Sequence, residues 1–315
     1  MIEIKNVTKR YGANLAVDDV TFTINEGEVL GFLGRNGAGK STTMNIVTGY
    51  ISASSGQVLV DGMDILEEPR EAKRHIGYLP EQPPLYMDMT VEEYLRFVCD
   101  IKEIRRQSQK AHLEDIYELV RIQDVRRRLI KNLSKGYKQR VGLAQALVGN
   151  PDVIIMDEPT VGLDPRQIIE IRRLIRDLGK SHTVVLSSHI LHEVSDVCDR
   201  VVIINRGKIV AQDSLENLTK GIGEGTRMML RVVGAEKPVQ RLLRELPGVS
   251  LAEPMGVKEP GSVDFMVESQ PGSDVRRQLG NALIAGGYPI LMLQPMAATL
   301  EDIFLQLTNE SAKEE

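Results

Sequence analysis

Hydrophobic positions change period along the chain, and each change marks an element. Ile2–Val7 and Val20–Ile24 alternate apolar and polar residues, as expected of strands with one exposed face. Val29–Leu33 and Val153–Met156 are short, unbroken apolar runs, the pattern of parallel strands buried on both faces. Gln57–Val60, Ile76–Leu79 and Thr183–Leu186 read as further strands, and Asn205–Arg206–Gly207 as a hairpin turn. Helical spacing follows the first buried run at Ser41–Thr48 and dominates residues 81–150. There, Thr90 and Glu93 form a capping box before a helix whose Val91, Tyr94, Leu95 and Val98 share one face. A second helix near Ala111–Arg121 turns Leu113, Ile116, Tyr117 and Val120 inward. Helices are also predicted at Lys138–Val148, Arg166–Leu178 and Ile190–Val197. Strands alternating with helices predict an α/β domain with a largely parallel sheet, interrupted by a helical subdomain.

The pattern resets at Gly221–Gly225, a Gly-Ile-Gly-Glu-Gly run that reads as a linker. Beyond it the order is strand (Arg227–Val233), helix (Pro238–Leu246), strand (Val249–Glu253), strand (Ser262–Glu268), helix (Asp274–Ala285) and strand (Pro289–Leu293). This βαββαβ order predicts a small ferredoxin-like α+β domain. A last helix is expected at Leu300–Leu307, before a charged tail. The expected division is a domain over 1–220, with its helical subdomain at about 83–150, and an accessory domain over 221–315.

Composition narrows the function classes. No apolar run among the 315 residues reaches the ~18 needed to cross a bilayer. The N-terminus is polar and alternating, so no signal peptide is expected. The balance of 39 Lys+Arg against 44 Asp+Glu gives a net charge of −5, a poor match for nucleic acid in bulk. Two distant cysteines, Cys99 and Cys198, lack metal-ligand spacing and read as small buried hydrophobes. Glycine is the anomaly, with eight of the 27 falling between Gly27 and Gly62.

Part of that cluster is Gly34-Arg-Asn-Gly37-Ala-Gly39-Lys40-Ser41, the pattern G-x-x-x-x-G-K-S/T between a predicted strand and a predicted helix. Glycines allow positive φ and a close backbone approach to phosphate. Successive N–H groups and the helix N-terminus supply partial positive charge. Lys40 reaches the β- and γ-phosphates, and the Ser41 hydroxyl ligates Mg²⁺. The candidate nucleotide contacts are thus Gly34, Arg35, Asn36, Gly37, Ala38, Gly39, Lys40, Ser41 and Thr42. Asp157 and Glu158 end a buried strand, where open α/β sheets place their chemistry. In that position Asp157 would hold Mg²⁺, directly or through water, and Glu158 would polarise the attacking water.

Over about residues 1–215 the chain resembles the nucleotide-binding subunits of ABC transporters. Beside the phosphate loop, Gln82 in Leu-Pro-Glu-Gln-Pro-Pro looks like the Q-loop, and Leu133-Ser-Lys-Gly-Tyr137 like the signature motif. Val153–Glu158 looks like the Walker B strand, Gly162-Leu-Asp-Pro165 like the D-loop, and His189 like the switch histidine. Tyr11 looks like the aromatic that stacks on adenine, although it could also pack as a turn aromatic. The resemblance implies a homodimer holding two ATP molecules, each between the phosphate loop of one copy and the signature of the other. Ser134, Lys135 and Gly136 would face the partner's ATP. Asp164 would sit at the dimer contact, cap the following helix, or do both. Gln82 would ligate Mg²⁺ and link a docking surface on the helical block to the γ-phosphate, and His189 would contact that phosphate. The signature departs from the commonest form, with Lys135-Gly136-Tyr137 where Gly-Gly-Gln is usual.

The implied function is an ATPase that powers transport, export being favoured, through a separate membrane permease at the cytoplasmic face of the cell membrane. The C-terminal residues resemble an extension of exporter ATPase subunits. The alternative is a soluble ABC-type ATPase acting on nucleic acid or ribosomes. Its relatives usually carry paired nucleotide domains, coiled coils or zinc modules, and no nucleic acid partner is expected here.

Overall fold

The computed structural model describes residues 1–221, 227–270, 272–296 and 304. The chain forms two compact units, divided after Leu215.

The first unit opens with β1 (Ile2–Tyr11) and β2 (Asn14–Ile24), followed by β3 (Val29–Leu33) and α1 (Lys40–Val47). After these come β4 (Ser55–Val60), β5 (Met63–Asp64), α2 (Pro69–Arg74) and β6 (Ile76–Leu79). The helical block holds α3 (Val91–Ile101), α4 (Arg106–Val120) and α5 (Lys135–Leu147). The unit finishes with β7 (Val153–Asp157), α6 (Pro165–Leu178), β8 (Thr183–Ser188), α7 (Leu191–Ser195), β9 (Arg200–Asn205) and β10 (Lys208–Ser214). The short helices α2 and α8 (Leu215–Gly221) carry too few turns to show a period in the sequence.

The alternating strands and the continuous runs segregate into different sheets. One sheet, ordered β2-β1-β4-β5, is antiparallel throughout. The other, ordered β10-β9-β3-β8-β7-β6, is parallel except at its β10 edge. All residues of β3, β7 and β8 are buried, as expected of central strands in a parallel sheet covered on both faces. Phe22 of β2 stacks on Phe32 of β3 with ring centroids 5.3 Å apart, one of the contacts joining both sheets in a single core.

The order β3-β8-β7-β6 matters most for function. These four neighbouring strands deliver the phosphate loop, His189, the Asp157–Glu158 pair and the Gln82 loop to the same, carboxyl end of the sheet.

In the helical block the capping box is complete. The Glu93 backbone N–H donates to Thr90 Oγ1 at 3.2 Å, and the Thr90 N–H donates to Glu93 Oε2 at 2.8 Å. Val91, Tyr94, Leu95 and Val98 are buried along the helix that follows. Thr90→Ala is expected to lower stability by about 1 kcal/mol, read as a lower urea midpoint with an unchanged slope.

Helix α5 starts a full turn before the expected Lys138. Ser134 caps it, accepting from the Tyr137 N–H at 3.4 Å. Gly136 masks this first turn in the sequence because glycine disfavours helix interiors. Helix α6 likewise begins at Pro165, with Asp164 as its cap. Cys99 and Cys198 are free and buried, and burial pushes the Cys99 thiol up to about 11.

The second unit contains β11 (Arg227–Val233), α9 (Glu236–Glu245), β12 (Val249–Gly256), β13 (Ser262–Ser269), α10 (Arg276–Ala285) and β14 (Ile290–Met296). Its sheet is antiparallel and ordered β12-β13-β11-β14, the ferredoxin-like arrangement. Leu230 and Phe265 pack with Val239 and Leu243 of α9 and Leu279 and Leu283 of α10. The expected Gly221–Gly225 linker, beyond Gly221, and most of the expected Leu300–Leu307 helix lie outside the described residues.

On the sheet, the buried Asp264 carboxylate accepts from Arg231 Nε at 2.6 Å and Nη2 at 2.9 Å. The Arg231 hydrogen bond holds the Asp264 carboxyl below its usual range. The folded form therefore binds a proton less readily than the unfolded chain. The resulting stabilisation is complete above the ordinary carboxylate pKa of about 4 and is lost as pH falls through the folded value. Calorimetry of the full chain should show the second unit's transition falling in acid, with that pH dependence reduced in Asp264→Asn.

Candidate functional site

The phosphate loop leaves β3 and enters α1 through Gly37 (φ +79°) and Gly39 (φ +110°), both in the left-handed region. A Cβ on Gly39 would lie 2.7 Å from the Ala16 carbonyl oxygen, so the loop can follow this path only with glycine there. Gly39 caps α1 without a side-chain hydrogen bond, leaving the helix N-terminus directed by backbone N–H groups alone. Within the loop, the Lys40 ammonium donates to the carbonyls of Gly34 at 2.8 Å and Arg35 at 3.3 Å. The Ala38 N–H also donates to the Arg35 carbonyl.

Lys40 also forms a buried ion pair, with its Nζ 3.2 Å from Glu158 Oε1. The second Glu158 oxygen lies 2.8 Å from His189 Nδ1. Glu158 has φ +48°, a strained conformation for a non-glycine residue. Its N–H is held by the Ser187 carbonyl at 3.2 Å and the Ser187 hydroxyl at 3.1 Å. The same hydroxyl donates to Asp157 Oδ1. One serine on β8 thereby fixes both acidic residues at the end of β7.

These groups line a cavity of about 710 Å³ that includes Tyr11, Asn36, Gly37, Gly39, Lys40, Ser41, Thr42, Glu158 and His189. Its volume lies within the range of small-molecule sites. Tyr11 is half exposed on its wall, with Lys9 Nζ 5.3 Å from the ring centroid. A second cavity, of about 640 Å³, is lined by Ser41, Gln82 and Asp157. Ser41 borders both cavities. A hydroxyl, a side-chain amide and a carboxylate form an all-oxygen donor set, which fits a hard divalent cation. Tyr78 lines this second cavity, and burial, followed by the charge of Asp157, raises its phenol pKa.

Ser134, Lys135, Gly136 and Asp164 line neither cavity among the described residues. They form a separate group in the first unit. The Asp164 carboxylate accepts from the Gln167 N–H at 3.0 Å, which is the capping role. A Cβ on Gly136 would lie 2.7 Å from the Gln167 side chain, and one on Gly162 would lie 2.2 Å from Lys135 Nζ. The signature and the Gly162–Pro165 turn are therefore in contact.

Three lining residues carry no motif: Asn14, Leu15 and Ala16 of β2. They reach the cavity through the pairing of β2 with β1, which leaves no local signal. Ser187 had one, because it stands two residues before His189 in Leu-Ser-Ser-His.

A glycine-rich phosphate loop after β3, a histidine after the adjacent β8 and an acidic pair at the end of β7, the next strand over, define a P-loop ATPase of the ABC type. The profile of the ABC transporter family matches residues 17–161. The linearmycin resistance ATP-binding protein LnrL of Bacillus subtilis is 31% identical, covering 100% of both chains. The bacitracin transport ATP-binding protein BcrA of Bacillus licheniformis is 38% identical over 70% of this chain and 72% of its own. Among solved structures, the dimeric post-hydrolysis state of the ATP-binding cassette MJ0796, bound to ADP and Pi, superposes with a TM-score of 0.63. It is 26% identical and covers 68% of this chain and 99% of that one. The chain belongs to the ATP-binding proteins of ABC transporters, and it is an ATPase. Among the described residues no helix is long and apolar enough to cross a membrane.

Proposed function

We propose that this chain is the ATP-hydrolysing subunit of an exporter whose membrane-crossing part is a separate permease. It would act at the cytoplasmic face of the cell membrane, held there by that permease. Residues 1–220 would be the ATP-binding domain, with a helical subdomain at about 83–150, and residues 221–315 an accessory domain.

The observation that carries the reading is the cavity uniting Tyr11, the phosphate loop, Glu158 and His189, while Ser134–Gly136 stand outside it. A site with its own phosphate loop, and a second capped helix N-terminus that does not line it, suits a head-to-tail homodimer. Each ATP then lies between the phosphate loop of one copy and the signature of the other.

In this mechanism, N–H groups of the loop and Lys40 bind the β- and γ-phosphates, and Tyr11 stacks on adenine. Glu158 accepts a proton from the attacking water. His189 orients that carboxylate and contacts the γ-phosphate. Ser41, Asp157 and Gln82 would hold Mg²⁺, whose charge would offset that of the phosphates. Hydrolysis removes the group that both copies hold, so the dimer opens.

Export is favoured by the relatives' roles in linearmycin resistance and bacitracin transport. The decisive experiment is affinity purification from detergent-solubilised membranes of the native host. Co-purification of a polytopic membrane protein that alters ATP turnover supports the proposal. Enrichment of nucleic acid or ribosomes instead overturns it.

A further inference from the structure

The geometry points to Thr160 and Glu193 as positioning residues that hold the Glu158–His189 pair in register. This inference rests on the reading of Glu158 as the base. Thr160 lies two residues after Glu158, and Glu193 lies four residues after His189. The Thr160 hydroxyl donates to Glu193 Oε2 at 2.5 Å, and both residues are buried. The segments after β7 and β8 are therefore joined twice. One link is His189 to Glu158 at 2.8 Å, which faces the nucleotide cavity. The other is Thr160 to Glu193, which lies behind it. Together they close a ring through Pro159 on one side and the start of α7 on the other.

Such a ring is needed because neither segment is rigid by itself. Glu158 sits at φ +48°, and a strained residue persists only where its surroundings over-determine it. On its amino side the Ser187 contacts supply that restraint. On its carboxyl side the Val161 N–H returns to the Glu158 carbonyl at 3.2 Å, and the Thr160 side chain supplies the link to α7. Helix α7 spans only Leu191–Ser195, too short to be stable alone. It is tied to α6, where Arg172 Nη1 donates to Asp196 at 2.7 Å and Arg176 donates to the Asp196 carbonyl.

Glu193 is a costly group to bury. Its nearest cation is Arg172, whose Nη2 is 4.0 Å from Glu193 Oε1, beyond hydrogen-bond reach. Arg172 Nε is itself buried without a partner among the described residues. The Thr160 hydroxyl is thus the short, directed contact to this carboxyl group. Its loss would remove one of the two links between the segments and let His189 shift relative to Glu158.

The test measures steady-state ATP turnover and ATP affinity of the full chain as Thr160→Val, Thr160→Ser and Glu193→Asp. Thr160→Val keeps the shape and removes the donor. Glu193→Asp keeps the acid and withdraws the acceptor by one methylene. Each should lower kcat by about 10- to 100-fold, the effect of misplacing a reacting group by about 1 Å. KM for ATP should stay within about twofold, and Thr160→Ser should restore turnover. In a Glu158→Gln background, Thr160→Val should have no further effect, since it acts through Glu158. Wild-type kcat in both Thr160→Val and Glu193→Asp, or an equal further loss in the Glu158→Gln background, overturns the inference. Undiminished turnover in Glu158→Gln alone would instead overturn the assignment of the base. If Thr160→Val does not fold, Glu193→Asp carries the test.

Discussion

Glu158→Gln is expected to lower ATP turnover by about 10²- to 10⁴-fold, the usual contribution of a positioned general base, while ATP binding is retained. The amide is nearly isosteric and still offers an oxygen to Lys40 or His189, which lie 3.2 and 2.8 Å from the present carboxylate oxygens. It cannot accept the proton of an attacking water. Turnover and binding should therefore separate, with kcat collapsing and the Kd for ATP changing little. The measurement is phosphate release at saturating ATP beside equilibrium binding of a fluorescent ATP analogue. Turnover within a few-fold of wild type would remove Glu158 as the base.

Lys40→Ala is expected to act on binding itself. The ammonium is buried and straps the loop through the Gly34 and Arg35 carbonyls. Removing it takes away a charge-assisted contact to phosphate and leaves Glu158 beside the site without its cation. Losing one member of a buried charge pair costs about 2–5 kcal/mol, which is at least about 30-fold in Kd. The same binding titration reads this loss, and circular dichroism checks that the fold is retained. Unchanged affinity would contradict the assignment of the loop.

The two variants also explain which parts of the site could be read from sequence. Asp157, Glu158 and His189 were legible because each lies at or just beyond the end of a buried strand, and Lys40 because it closes the glycine pattern between a buried strand and a helix. Those segments meet because β3, β8 and β7 are neighbours, an order the sequence does not state. The alternating pattern of Ile2–Val7 and Val20–Ile24 identified strands but not their separate antiparallel sheet, since period alone does not choose a partner. Asn14–Ala16 join the cavity through that pairing. The Thr160–Glu193 contact spans 33 residues and joins two common polar side chains, so no local pattern announces it. Gly136 hid the first turn of α5, the turn that places Ser134 at a helix N-terminus. In the C-terminal unit the βαββαβ order was legible from period alone, because its strands and helices are short, amphipathic and cleanly separated by turns.

The central claim is that one ATP site is completed by two copies of this chain. Light scattering during size-exclusion chromatography of Glu158→Gln, with and without ATP, tests it most directly. The expected result is the mass of one chain without nucleotide and of two chains with ATP, the dimer being lost when Ser134→Arg is added. A single-chain mass at saturating ATP, with nucleotide bound, would contradict the account.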